Sequence, residues 1–338
     1  MDSLTQIVLG ASVAALAAPP EHRRKALAVG AVLGTLPDLD VLVDYGGAVE
    51  NFTYHRGFSH SLIVLAPFSV LLWLALRRWW APVRAAPRPW LAAIALTLLT
   101  HPLLDAHTAY GTQLFWPFEP NPVMWGTIFI IDPLYTLPLL ATVVYAALRP
   151  HALRAGRGLA VALSVSTAYL AWTWVAQGIV AGHAREALAA QGREDVALFV
   201  TPTPFNTLLW RVVAMTDDGW LEGFDSLLLD EGRMALRAYP SDSAALASAA
   251  DDVWAVRRLS WFASGFVRAS VHDGELYIAD LRMGQYPVFV FTHIVAERGN
   301  PHWRPIEAEL VSVDFSDRSL GEVWERVWSA PAPTEQEP

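Results

Sequence analysis

Apolar runs recur throughout the residues before position 182, with only short polar breaks between them. They cover Leu4–Ala18, Ala26–Leu36, Phe58–Leu76, Trp90–Leu104, Ile128–Leu148 and Gly158–Val180. A helix that crosses a bilayer needs about 20 predominantly apolar residues, with a range of about 17–25. The third, fifth and sixth runs meet that length, the fourth is marginal and the first two are short. Read together they predict an α-helical membrane bundle of about six transmembrane helices over residues 1–181. The composition agrees: 54% of the 338 residues are hydrophobic and 17% are charged, against roughly 25% charged in soluble domains.

Past residue 181 the pattern changes. The first part holds 11 Lys and Arg against 9 Asp and Glu, the remainder 13 against 24. An acidic second half lacks the clustered basic face that nucleic-acid binding requires, so no nucleic-acid partner is expected. Short β-rich runs at Leu198–Thr201, Thr207–Ala214, Leu276–Ala279 and Val288–His293, with turn signals at Asp217-Asp218-Gly219 and Asp273-Gly274, predict strands. Ser243–Arg258 is Ala-rich and predicts a helix. Residues 182–329 therefore read as a C-terminal soluble α+β domain, and the proline-rich stretch 330–338 as a disordered tail.

Orientation follows from the basic residues, because short cytoplasmic loops are enriched in Lys and Arg. The clusters Arg23–Lys25, Arg77–Arg88 and Arg149–Arg157 hold ten of the eleven basic residues before position 182. In a six-crossing bundle these are the first, third and fifth loops, which places them in the cytoplasm. The segments Pro37–Gly57 and His101–Thr127, and the domain after residue 181, are then expected outside a cytoplasmic membrane.

Three polar groups stand at that outer face. Asp38 and Asp40 lie two residues apart, so both carboxylates can converge on one ion if the segment is extended or turning. His55 and His60 flank Gly57, which permits a turn between them. His101 and Asp105 are four apart, which stacks both side chains on one helical face. Ionisable groups beside membrane segments are costly and mark functional sites. The chain has no Cys, so a metal site here must be built from His, Asp and Glu. Six such donors suit a divalent metal, zinc above all, as one or two ions; manganese or iron accept the same ligands. Asp132-Pro133 also interrupts the fifth run, as a helix start or as a partner of the site.

The combination resembles the YdjM-like family of bacterial inner-membrane proteins, described as membrane-bound metal-dependent hydrolases. The resemblance covers roughly residues 1–150. It rests on Met1-Asp2-Ser3-Leu4-Thr5, Leu36-Pro37-Asp38-Leu39-Asp40, His55-Arg56-Gly57-Phe58-Ser59-His60-Ser61, and His101 through Asp105 to Thr108 and Gly111. It implies metal binding by Asp38, Asp40, His55, His60, His101 and Asp105. A distant similarity of that family to zinc-dependent phospholipases C and single-strand nucleases implies hydrolysis of a phosphoester, lipid headgroups included, by metal-activated water. Arg56 is then the residue expected to stabilise anionic charge on a phosphoryl group. One departure stands out: the family commonly has His after Thr in the first helix, whereas here Thr5 is followed by Gln6. A non-enzymatic membrane protein, either an ion-handling transporter or a metal-stabilised scaffold, remains the alternative, because intramembrane Asp and His also mark ion pathways.

The orientation is directly measurable. A single Cys replacing Ser241 should react with a membrane-impermeant thiol reagent in intact spheroplasts, and one replacing Ala81 only after lysis. The opposite pattern overturns the assignment of faces.

Overall fold

The structure is a computed structural model and describes residues 1–118, 120–230, 234–312 and 320–329. The expected tail 330–338 lies outside the described residues. Two units divide the chain: Met1–Gly46, Glu50–Trp125 and Ile130–Trp172 form one, and Gly47–Val49, Gly126–Phe129 and the chain from Thr173 form the other.

The first unit is helical. Its elements are α1 (Ser3–Ala17), α2 (Arg23–Thr35), α3 (Ala48–Tyr54), α4 (Leu62–Trp79), α5 (Ala81–Ala85), α6 (Pro87–Asp105), α7 (Pro133–Leu148) and α8 (Leu153–Ala189), which continues into the second unit. Local chemistry sets several of the ends. The Asp2 carboxylate accepts from Thr5 N at 3.1 Å and caps α1. Asp132 caps α7 by accepting from Leu134 N and Tyr135 N, with Pro133 at the first helical position, where a missing N–H costs nothing. Asp132 is thus a helix start, held further by the Tyr169 hydroxyl at 2.8 Å.

α1 lies against α2, α6 and α7. Its contact with α2 is backbone to backbone. A Cβ on Gly30 would stand 2.1 Å from Gly10 O, and one on Gly34 would stand 2.4 Å from Gln6 O. Small residues allow this approach, as they do where membrane helices pack closely. Ala11, Ala14 and Ala15 of α1, Ala26 and Leu27 of α2, and Trp90 and Ala93 of α6 fill the core beside it.

The six-crossing bundle with a soluble α+β domain is not what the structure contains. Among the described residues two helices are long and apolar enough to cross a membrane: Leu62–Trp79 and Arg154–Ala189. α1, α2 and α7 have 15, 13 and 16 residues; at 1.5 Å per residue they reach about 20–24 Å, short of the roughly 30 Å hydrocarbon core. α6 has 19 residues, but Arg88, His101, Pro102 and Asp105 dilute its apolar run, and nearly half of it is buried in protein. The first, second, fourth and fifth apolar runs thus fall short of spans by length and composition, leaving a mostly helical N-terminal region with two candidate spans.

The second unit is rich in β-sheet. Strands β1 (Leu198–Pro202), β2 (Leu209–Thr216), β3 (Gly219–Ser226) and β4 (Leu236–Pro240) form one antiparallel sheet in sequence order. Strands β5 (Val267–His272), β6 (Glu275–Asp280), β9 (Thr292–Arg298) and β10 (Trp303–Leu310) form a second, ordered β10-β9-β6-β5, and β7 (Gly284–Gln285) pairs with β8 (Val288–Phe289). The turn signals fall between β2 and β3 and between β5 and β6. The Ala-rich segment is broken in two, α9 (Ser243–Ala250) and α10 (Trp254–Phe262); a last helix, α11, spans Leu320–Trp328. Ala176, Val180 and Ala184 of α8 pack on Val200, Trp210 and Val212 of the first sheet. His293 is buried, and burial pushes its imidazole down to about 4.

The glycine contact yields a stability prediction. Gly30→Ala forces two backbones apart and should destabilise the detergent-solubilised chain by about 1–3 kcal/mol or more, the cost of overpacking, read as a lowered denaturation midpoint. Gly178→Ala, where a Cβ meets nothing within 4 Å, should be neutral or stabilising, because Ala favours helix by about 0.5–1 kcal/mol.

Candidate metal centre

The last turn of α6 supplies the first two donors. Its regular geometry places His101 and Asp105 on one face, and their Nε2 and Oδ2 atoms are 3.3 Å apart. Pro102 is accommodated between them, and Thr108 closes the helix end by donating to Asp105 O at 2.7 Å.

The next donors come from two short 3-10 turns. Pro37–Leu42 carries Asp38 and Asp40, and Phe58–His60 carries His60. With three residues per turn, side chains two apart on a 3-10 helix point about 120° away from each other. Asp38 and Asp40 therefore meet different partners. Asp38 Oδ1 faces His60 Nε2 at 3.3 Å and His101 Nε2 at 3.4 Å. Asp40 accepts from His55 Nδ1 at 2.8 Å, the Arg56 backbone N–H at 2.9 Å and the Ser59 hydroxyl at 2.5 Å. The turn between the histidines uses both Arg56, at φ 60°, and Gly57, where a Cβ would stand 2.7 Å from Tyr54 O.

Asp38, His60, His101 and Asp105 thus converge, with one donor atom from each lying within 4.8 Å of all the others. The two imidazole Nε2 atoms are 3.2 Å apart, and His60 Nε2 is 3.1 Å from Asp105 Oδ2. Donors about 2.0–2.1 Å from one tetrahedral ion stand about 3.3–3.4 Å from each other, which is close to five of the six pair distances here; Asp38 and Asp105 lie within 4.8 Å.

The ring orientations are set from behind. His101 Nδ1 lies 2.7 Å from Gly34 O, an acceptor only, so Nδ1 carries a proton and Nε2 faces the cluster. The Ser59 hydroxyl gives its one hydrogen to Asp40, so His60 Nδ1 donates to Ser59 Oγ at 2.9 Å and its Nε2 also faces inward. Backing of this kind is what metal-ligating histidines receive. Four acceptors thus point at one buried spot, and Asp105 Oδ2 is fully buried with no hydrogen-bond donor. The Arg56 guanidinium and the Met1 amino group stand against Asp105, and a second imidazole proton or a metal ion at the centre would add positive charge facing all four acceptors. The effect of the proton shows at Asp38: burial pushes its carboxyl up, but hydrogen bonds from His101 and His60 outweigh burial and hold it well below the usual carboxylate range.

Residues 1–180 match the YdjM inner membrane protein family. The chain belongs to that family. A 150-residue stretch is 29% identical to the uncharacterized protein YfhP of Bacillus subtilis strain 168, covering 42% of this chain and 45% of that protein. A stretch of 111 residues is 34% identical to the inner membrane protein YbcI of Escherichia coli K12, covering 32% of this chain and 60% of that protein. The chain therefore spans about half the length of these relatives. No solved structure matches it.

In this YdjM-family chain the six expected ligands divide four and two. Asp40 and His55 stand outside the group of four, with Asp40 bracing the turn that presents His60. Arg56 lies beside the four: its buried guanidinium has Nε 3.6 Å from Asp105 Oδ2 and donates to Thr108 Oγ1 at 3.2 Å, with its charge 5.0 Å from the centre of the Tyr110 ring. Gln6, standing where the family commonly has His, donates to Asp105 Oδ1 at 3.0 Å and His101 O at 3.2 Å; the Met1 amino group also lies against Asp105 Oδ1. Three contributors were not legible as site residues. Ser59 lies inside the His55–Ser61 motif with no donor spacing of its own, Tyr110 carries no spacing signal, and Gly34 acts through its carbonyl, which no residue type announces.

Metal analysis follows from this division. The purified chain should carry about one divalent metal ion, and His101→Ala should lose it, since removing a ligand abolishes such sites. Asp40→Asn should keep the site but weaken affinity about 10–100-fold, as for residues that orient ligands. Equal loss in both variants would make Asp40 a direct ligand.

Proposed function

We propose that the chain is a membrane-bound, metal-dependent hydrolase acting on phosphoesters. The observation that carries this reading is a buried cluster of four metal-type donors with a buried guanidinium at its edge. Asp38, His60, His101 and Asp105 hold the ion, and zinc is the ion whose tetrahedral N/O preference fits the spacing best; manganese and iron take the same donors. The ion supplies Lewis-acid polarisation of a phosphoryl oxygen and activates water as the nucleophile.

The chain's own residues do the rest. Asp38 is the donor open to solvent, with 20% of its side chain exposed against 0–1% for the other three, so substrate and water reach the site on its side. Arg56 offers a fixed positive charge for the phosphoryl oxygens, where charge builds in the transition state. Gly34 O, Ser59 and Asp40 keep both imidazoles turned inward, so no reorganisation accompanies reaction. The basic residues at one end of both candidate spans, Arg77 and Arg78 of α4 and Arg154 and Arg157 of α8, support a site at the opposite, outer end of α4.

A second reading is a metal-stabilised scaffold. It is favoured by the number of protein donors, since four protein ligands close a tetrahedron in structural sites. One experiment separates the two. The metal-loaded chain in detergent micelles should hydrolyse bis(p-nitrophenyl) phosphate, with His101→Ala at background and Arg56→Gln reduced about 100-fold in kcat, the scale seen on removing one charge-stabilising donor. Full metal content with no turnover establishes the scaffold.

A further inference from the structure

The turn that supplies Asp38 and Asp40 alternates them with apolar residues that face outward. Leu39 is 52% exposed, Val41 68% and Leu42 79%, while Asp40 beside them is buried. The segment carrying His60 repeats the arrangement, with Phe58 exposed one side chain away from the buried imidazole. The Phe58 ring meets that of Trp116 at 6.2 Å, and the Ser61 hydroxyl donates to Trp116 O at 2.7 Å. Phe118, two residues further on, is 70% exposed. These side chains make an apolar rim on the same backbone segments that carry the metal-type donors.

The rim is continuous with a surface suited to lipid. Ser61 caps α4 by accepting from Ile63 N at 3.2 Å, so the chain passes from His60 straight into a candidate span that is only 11% buried by the rest of the protein. A site at the end of a span lies at the depth of the lipid headgroups, and exposed Trp and Phe at that level are what membrane interfaces collect. In an inner membrane protein the occupant that covers such a rim is the bilayer itself.

Resting on the hydrolase reading above, we infer that the substrate is a phosphoester of a lipid still seated in the bilayer. Its phosphate lies between Asp38 and Arg56, and its acyl chains lie along Leu39, Val41, Leu42 and Phe58. Water adds its oxygen to phosphorus as the ester P–O bond breaks, and the water's proton leaves with the alcohol product. No further reactant is needed.

The test uses the full metal-loaded chain in vesicles of phosphatidylglycerol and phosphatidylethanolamine, with release of phosphate-bearing or alcohol products followed by mass spectrometry. Bis(p-nitrophenyl) phosphate serves as the soluble comparison. The double variant V41S/L42S should lower lipid turnover about fivefold or more while soluble turnover stays within about twofold, because interactions remote from phosphorus serve only the lipid. Hydrolysis of the soluble ester alone, or an equal loss on both substrates, overturns the lipid assignment and leaves the hydrolase reading standing. Hydrolysis of neither overturns both.

A readout independent of turnover uses the absence of native Cys. An environment-sensitive fluorophore on Leu42→Cys should be quenched by lipid-borne nitroxide and shielded from aqueous iodide, unlike one on Asp218→Cys in the exposed β2–β3 turn. Equal iodide access at both positions removes the rim from the membrane and overturns the inference.

Discussion

Four electron-pair donors aimed at one buried point need positive charge beside or between them, and the helical unit is arranged around that demand. In a low-dielectric interior an uncompensated carboxylate is strongly disfavoured. Asp105 is buried completely, and its two oxygens are treated differently. Oδ1 takes Gln6 Nε2 and the Met1 amino group, while Oδ2 is left to the imidazoles, to Arg56 and to the centre of the cluster. Asp40 carries the same logic one layer out. Burial pushes its carboxyl up, and the hydrogen bond from His55, the charge of His60 and the Ser59 hydroxyl more than offset it.

The close contact of α1 with α2 is the scaffold for this chemistry rather than a separate feature. Gly34 meets the Gln6 carbonyl where a side chain would clash. That approach brings the Gly34 carbonyl to His101 Nδ1 and the Gln6 amide to Asp105. Three helices therefore meet at one point through Gly10, Gly30, Gly34 and one amide. A larger residue at any of these glycines acts on the site through the spacing of the helices, without touching a ligand.

Arg56 connects the cluster to its surroundings. Its left-handed backbone turns the chain between His55 and His60, and its carbonyl accepts from Gln113 N at 3.0 Å, which ties the turn to the loop after α6. The guanidinium also stands against the buried Asp105 carboxylate, so one side chain both offsets a buried negative charge and sets a fixed positive charge at the edge of the cluster.

The sequence by itself determined the chemistry available. It determined that a Cys-free chain must bind metal through His and carboxylate, that His101 and Asp105 share a helical face, and that strands follow the helical part, with β2 and β6 close to where the β-rich runs and turn signals put them. Tertiary structure decided which donors meet. Asp38 and Asp40 look equivalent in sequence, but a 3-10 turn sends one into the cluster and the other to brace His60, and that geometry depends on what the turn packs against. Tertiary structure also decided which apolar runs are span candidates. An apolar helix gains as much from facing protein as from facing lipid, so hydrophobicity registers both alike; the glycines let the backbones of α1 and α2 touch, which no hydropathy pattern records.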